Sequence, residues 1–380
     1  MEASMTLNRR RLLAAGLVAA ATGGVSSASA GDAADYEAGL DAAFAETGPV
    51  ALAGGVVTRE GLVWSGVRGV RRIGGTDPAT LNDRWHLGSN TKAMTAALYG
   101  RLVDQGRADW DAPLGNLFPG VRIDPAWDGT TIRDFMHHRA GVKDADALGM
   151  VFFLTARGDP RSLPQQRLAV VERMLGVAPT GTKGAFEYAN ANYMLVGAAI
   201  ERITGQSWEQ VVQAELFAPL GLTSGGFGAP KTDTAGGPNV WGHRGEGAAR
   251  VAVDPADPGA DNPPALGPAG TAHMSLDDYA KWLRLFLTDG GGWLKPETAA
   301  QLATPGAGEG MPYALGWIAP PQIPWAGGPV LTHDGSNTLW YATAVVAPAR
   351  GVAFIALSNQ GAGQAATTAL MRKLVGRLNA

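Results

Sequence analysis

The chain has 380 residues, of which 46% are hydrophobic and 17% charged; that is too long for one small module and in the ordinary globular range, which excludes disordered, fibrous and membrane-bundle classes. Lys and Arg number 31 against 34 Asp and Glu, for a net charge of −3, and no basic field offers itself to nucleic acid or an anionic lipid surface. The absence of Cys excludes disulfide scaffolds, thiolate metal sites and cysteine nucleophiles.

The first element is an address. Arg9-Arg10-Arg11 precedes an apolar stretch from Leu12 to Ala21, and Ala28-Ser29-Ala30 supplies small residues for cleavage. Residues 1–30 therefore read as an export signal of the twin-arginine type, with a mature chain from about Gly31 and a periplasmic or secreted destination. Removal of Arg9, Arg10, Arg11 and Glu2 leaves 28 basic against 33 acidic residues, a charge of −5. The apolar stretch is about half the ~20 residues a bilayer requires, so no integral span is expected after cleavage.

Beyond it, Tyr36, Leu40, Ala43 and Phe44 mark a helix over 35–47. Val-rich runs at 50–57 and 61–69, split by Thr58-Arg59-Glu60, predict a hairpin. Helical segments follow at about 91–105, 131–138, 164–175, 191–203, 207–217 and 275–287, the last with Ser275 as its cap. Between them, Ser224 to Gly270 is dense in Gly and Pro and reads as an ordered loop walling a cleft. Short apolar runs at 312–318, 329–333, 339–347 and 351–358 predict strands, and 363–378 a closing helix. The simplest assembly is α+β: one antiparallel sheet built from both chain ends, about 31–88 and 308–380, flanked by helices, with a mostly helical lobe, about 89–307, inserted between. The site would then lie at the seam.

Three motifs carry chemistry. Ser89-Asn90-Thr91-Lys92 opens a helix, so Ser89 and Lys92 share one face a turn apart. An amine there can take the hydroxyl proton if burial lowers its pKa. Tyr188-Ala189-Asn190 offers a phenol for proton transfer and an amide that both donates and accepts. His333-Asp334-Gly335 ends an apolar strand; Gly335 would let an extended substrate approach the backbone, and the Ser336 amide could point into the cleft.

In this order and spacing, S-x-x-K, Y-x-N and a [K/H]-x-G strand resemble the serine β-lactamase and penicillin-binding-protein family, in its branch of class C β-lactamases, D-Ala-D-Ala carboxypeptidases and family VIII esterases. The resemblance spans about residues 35–375, through Thr131 to Gly141, Pro268-Ala269-Gly270, Tyr313 to Trp317 and Leu357-Ser358-Asn359. It implies a β-lactamase/transpeptidase-like fold and an exported serine hydrolase working through an acyl-enzyme on a small ester, amide or peptidoglycan-like substrate. By resemblance, Ser89 is the nucleophile, Lys92 and Tyr188 move its proton and the leaving group's, Asn190 orients the acyl amide, and the amides of Ser89 and Ser336 form the oxyanion hole. His333 and Gly335 would flank the substrate.

His333 stands where β-lactamases of this branch usually carry Lys. An imidazole with its ordinary pKa of ~6.5 is mostly uncharged at a pH of about 7.5, so substrates anchored by a carboxylate should bind poorly and simple esters well. Measuring both substrate classes between about pH 5.5 and 8.5, a range that brackets the imidazole titration, tests this preference. No G-x-S-x-G or H-E-x-x-H occurs, and His137-His138 would diverge on a helix, as a cap or core contact rather than a ligand pair. No cofactor or metal is implied. A D-Ala-D-Ala carboxypeptidase, a class C-type β-lactamase and a catalytically silent cell-wall-binding protein are the alternatives, although the last usually loses one of Ser, Lys or Tyr.

Overall fold

Residues from both ends of the chain pair into one antiparallel sheet. The structure, a computed structural model, describes residues 30–231 and 239–379; the expected export signal lies outside them except for Ala30. Strands β1 (Ala51–Thr58) and β2 (Leu62–Gly69) form the predicted hairpin. Three short strands of the middle region come next, β3 (Arg84–His86), β4 (Gly226–Phe227) and the β5 (Gly242–Arg244), followed by β6 (Val251–Val253) and β7 (Ala272–Ser275). Strands β8 (Leu331–Ser336), β9 (Tyr341–Ala347) and β10 (Val352–Ser358) complete the main sheet in the order β2-β1-β10-β9-β8.

Every residue of β1 and β10 is buried because both faces of the sheet are covered. Leu52, Val56, Val352, Phe354 and Ala356 pack toward the N-terminal helix Ala30–Thr47 and the C-terminal helix Gln364–Gly376. Ala51, Ala53, Val57, Ala353, Ile355 and Leu357 face the opposite way, into the larger core shared with the helical region. This two-residue alternation is the pleat acting as a sorting device. Gly54 and Gly55 are close-packed, one on each face: a Cβ would come within 2.8 Å of Leu370 and 2.9 Å of Leu276 respectively.

The inserted region is mostly helical, as expected, with helices Thr91–Asp104, Leu163–Leu175, Asn190–Thr204 and Leu276–Arg284. Ser275 caps the last of these by accepting from the Asp278 amide. The segment predicted over 207–217 begins as an α-helix at Trp208–Val212 and widens into a π turn at Gln213–Phe217. Two features differ from expectation. A three-stranded sheet, β3-β7-β4, underlies the helical region; its strands are two to four residues long, too short to show alternation. The run at 312–318 forms only isolated bridges, Tyr313 to Ile318 and Ile318 to Thr332, because Gly316 (φ 90°) turns the backbone against Ala93. The Ser224–Gly270 stretch holds β4, the β5-β6 pair and several 3-10 turns, and residues 232–238 within it lie outside the described residues. Among the described residues, no helix is long and apolar enough to cross a membrane.

One buried ionic cluster joins three helices. The fully buried Arg167 guanidinium donates to Glu201 and Glu209, each at 2.8 Å, and to the Ala265 carbonyl. Removing one partner of such a cluster leaves an uncompensated buried charge. Arg167→Ala is expected to destabilise the protein by about 3–5 kcal/mol in chemical denaturation, whereas Arg372→Ala, which breaks an exposed pair with Glu46, should leave the midpoint unchanged.

Candidate active site

The Ser89 turn is held from every side. Gly88 adopts φ 52° and lies against β8, where a Cβ would sit 2.3 Å from the Ser336 nitrogen; only glycine fits both demands. Thr91 Oγ1 donates to the Gly88 carbonyl at 2.7 Å and accepts from the Ala272 amide, and Asn90 Nδ2 donates to the carbonyls of Leu87 and Ala342. The half-buried Ser89 is thereby fixed at the start of the Thr91–Asp104 helix.

Ser89, Lys92, Tyr188 and Asn190 come together. Tyr188 Oη donates to Ser89 Oγ at 2.8 Å, and Lys92 Nζ lies 3.1 Å from the same oxygen. Lys92 also donates to Asn190 Oδ1 at 2.8 Å and to the Ala269 carbonyl at 2.7 Å. All three partners are uncharged, and Lys92 is fully buried. Burial pushes its pKa down to about 7, against the opposing pull of the Asp144 charge. Tyr188 keeps 37% of its surface open to solvent, but the protein packed about its hydroxyl end raises its pKa, outweighing the hydrogen bond at Ser89.

The sequence marks Ala269 only as part of Pro268-Ala269-Gly270, with no sign of its bond to Lys92, and it gives no sign of Asp144. Asp144 Oδ2 accepts from the Asn190 amide and from Asn190 Nδ2, both at 2.8 Å, while Oδ1 accepts from the Ala191 amide. It thus caps the Asn190–Thr204 helix from a distant segment, where negative charge is favoured, and fixes the Asn190 carboxamide with its oxygen toward Lys92. Nothing in the spacing of an Asp 46 residues upstream marks that role. His138 (φ 58°) is the predicted core contact: its Nδ1 accepts from the Ala189 amide, and its ring lies 4.4 Å from that of Tyr188. Burial holds its pKa well below the ordinary histidine value.

The third motif departs from expectation in two ways. Gly335 faces this chain's own backbone rather than leaving room for substrate alone: a Cβ there would meet the Leu87 carbonyl at 1.9 Å and the Ser89 nitrogen at 2.8 Å. Glycine is required so that β8 can touch the Ser89 turn, and this contact lays the backbone at Gly335 and Ser336 against that at Gly88 and Ser89. His333, expected to flank the substrate, has both ring nitrogens engaged by the protein. Its Nδ1 donates to the Asp334 carbonyl at 2.5 Å, so Nε2 accepts from Tyr313 Oη at 2.9 Å. Burial, reinforced by the Lys92 charge, pushes its pKa down to about 3. The imidazole is therefore uncharged throughout pH 5.5–8.5 and presents no cation at any pH in that range.

Comparison with known proteins decides the family: the Beta-lactamase family profile matches residues 18–376. The chain belongs to the Beta-lactamase family. Among its relatives, "Penicillin-binding protein 4" of Amycolatopsis lactamdurans is 27% identical over 322 residues, covering 80% of each chain. "Unguisins hydrolase ungD'" of Aspergillus campestris is 26% identical over 78% of this chain, which spans only 56% of that longer protein. The crystal structure of a D-stereospecific amidohydrolase from Streptomyces sp. superposes with a TM-score of 0.66 at 25% identity, covering 89% of this chain and 98% of that one. The β-lactamase/transpeptidase-like fold follows, and with it membership of a serine hydrolase family that includes penicillin-binding, esterase and amidohydrolase relatives.

Proposed function

We propose that this chain is an exported serine hydrolase that forms an acyl-enzyme on Ser89 and acts on small esters or amides lacking an anchoring carboxylate. The observation that carries the reading is the placement of Ser89 Oγ between Tyr188 Oη and a fully buried Lys92 whose pKa is depressed to about 7.

The roles divide by proton affinity. An uncharged amine has two hydrogens and one lone pair; Asn190 Oδ1 and the Ala269 carbonyl take the hydrogens, which leaves the lone pair directed at Ser89 Oγ–H. Lys92 is then the base that receives the serine proton as Oγ bonds to the substrate carbonyl carbon. Charge on the carbonyl oxygen is received by the Ser89 and Ser336 amides, donors of a type worth ~2.7–4 kcal/mol each. Tyr188, whose raised pKa keeps it a phenol, gives its proton to the departing oxygen or nitrogen as the carbon–leaving-group bond breaks. The Lys92 ammonium, which lies over the Tyr188 ring, then returns a proton to the phenolate. Water then attacks the acyl-enzyme by the reverse sequence, releasing the acid and restoring Ser89.

The sealed His333–Tyr313 pair favours substrates without a carboxylate, because it presents no cation. The relatives' names, a penicillin-binding protein and an amidohydrolase, support an acyl donor of ester or amide type. A D-Ala-D-Ala carboxypeptidase or class C-type β-lactamase is the reading that a cation at residue 333 would favour.

Treatment with a fluorophosphonate should give one adduct, on Ser89, and none in Ser89→Ala. The rate of that reaction should rise with pH through about 7, because Lys92 must lose its proton to act; a flat profile or an adduct elsewhere contradicts the reading. Lys92→Ala and Tyr188→Phe should each lower kcat by about 10²-fold or more. p-Nitrophenyl acetate or butyrate should be cleaved with a higher kcat/KM than penicillins or cephalosporins at every pH from about 5.5 to 8.5, the range that brackets an ordinary imidazole, and faster β-lactam hydrolysis would make the chain a β-lactamase. Material recovered outside the cytoplasm should begin near Gly31 by terminal peptide mass analysis; full-length protein found only inside the cell refutes export.

A further inference from the structure

Asp261, in the Gly- and Pro-rich stretch, touches neither Ser89 nor Lys92, yet its two carboxylate oxygens reach both segments that bring amides to the candidate oxyanion site. Oδ2 lies 3.0 Å from Nε2 of the buried His86, whose Nδ1 accepts from the Gly88 amide at 3.1 Å, one residue before Ser89. Because Nδ1 accepts, the ring proton sits on Nε2 and is donated to Asp261. Oδ1 accepts from Asn337 Nδ2 at 2.8 Å, one residue after Ser336, and from the Asn262 amide at 2.7 Å. Asn337 Oδ1 in turn accepts from the amides of Leu339 and Trp340, holding the turn after β8. The His86 ring stacks on Trp340, with centroids 5.8 Å apart. The Asp261 carbonyl is itself bound by Arg157, and its side chain is only 10% exposed.

We propose that Asp261 is a positioning residue that sets the spacing of the Ser89 and Ser336 amides, and so tunes stabilisation of the oxyanion. The inference rests on the hydrolase reading above. Oxyanion donors act through fixed placement, so a bridge between the two donor segments bears on the transition state rather than on substrate binding.

Asp261→Asn is the discriminating variant. Its shape is unchanged and its oxygen still accepts from Asn337, but its NH2 group now faces the His86 Nε2–H. Relief requires the other His86 tautomer, whose Nδ1–H can no longer accept from Gly88. We expect kcat for p-nitrophenyl acetate, and the rate of fluorophosphonate labelling, to fall at least about tenfold, part of the ~10²–10³ lost with an entire oxyanion donor. KM should change less than about twofold, and labelling should still reach one adduct per chain. In a His86→Ala background the same substitution should cause no further loss, since the arm it breaks is already gone. A labelling rate within twofold of wild type overturns the inference, as does a loss of activity that merely follows a fall in the final extent of labelling. If Asp261→Asn fails to fold, Asn337→Ala, which cuts the other arm, is read by the same rates and extents. A wild-type chain that takes no label at Ser89 overturns the hydrolase reading and this inference together, whereas labelled wild type with Asp261→Asn at full rate overturns this inference alone.

Discussion

Lys92 is enclosed by protein, and the three groups that hold its nitrogen come from separate parts of the chain: Ser89 from its own turn, Asn190 from a second helix and Ala269 from the Gly267–Gly270 turn. Each is a dipole rather than a charge. A dipole cannot repay the desolvation of an ammonium ion, so the amine gives up its proton near neutrality, a bias on the order of 5 kcal/mol at ~1.4 kcal/mol per pKa unit. That bias opposes folding: the unfolded chain binds the proton more tightly between about pH 7 and the ordinary lysine pKa of ~10.4, so stability from this group rises with pH across that window and is lowest below it. Packing has to sustain the cost. Gly197 admits Pro268 to within 2.2 Å of where its Cβ would be, Thr95 Oγ1 donates to the Pro268 carbonyl, and Asp144 anchors the Asn190 helix.

The same enclosure explains the inward histidine. Burial and the Lys92 charge both disfavour an imidazolium at residue 333, and the Tyr313 hydroxyl completes a neutral pair instead. Around Ser89 the described residues therefore combine a buried amine with a pKa near neutrality and an uncharged imidazole at residue 333. Under the proposed function, substrate choice then depends on what the acyl group lacks as much as on what it presents.

Much of this was legible in the sequence because the relevant signals are local. The hairpin and terminal strands announce themselves by Val-rich runs, and Ser89 and Lys92 by helical spacing. Tyr188 and Asn190 flag themselves by residue type beside a helix start. What could not be read is what depends on distant chain segments meeting. Asp144 and Asp261 act through partners 46 and 175 residues away, β3, β4 and β7 are too short to alternate, and His333 is defined by a tyrosine 20 residues upstream. Gly335 reads in the sequence as a place for substrate to approach the backbone; in the structure the Leu87 carbonyl and the Ser89 nitrogen approach it.

Under the proposed function, the buried amine of Lys92 is uncharged at the pH of catalysis. Lysine carrying 13C at the ε-carbon reports its protonation directly by NMR, and Lys92→Met identifies the resonance. A midpoint near 7 for Lys92, beside ordinary values near 10 for exposed lysines, is the result the structure predicts. A Lys92 midpoint near 10 would contradict the account, because the amine would then be an ammonium ion unable to take the serine proton.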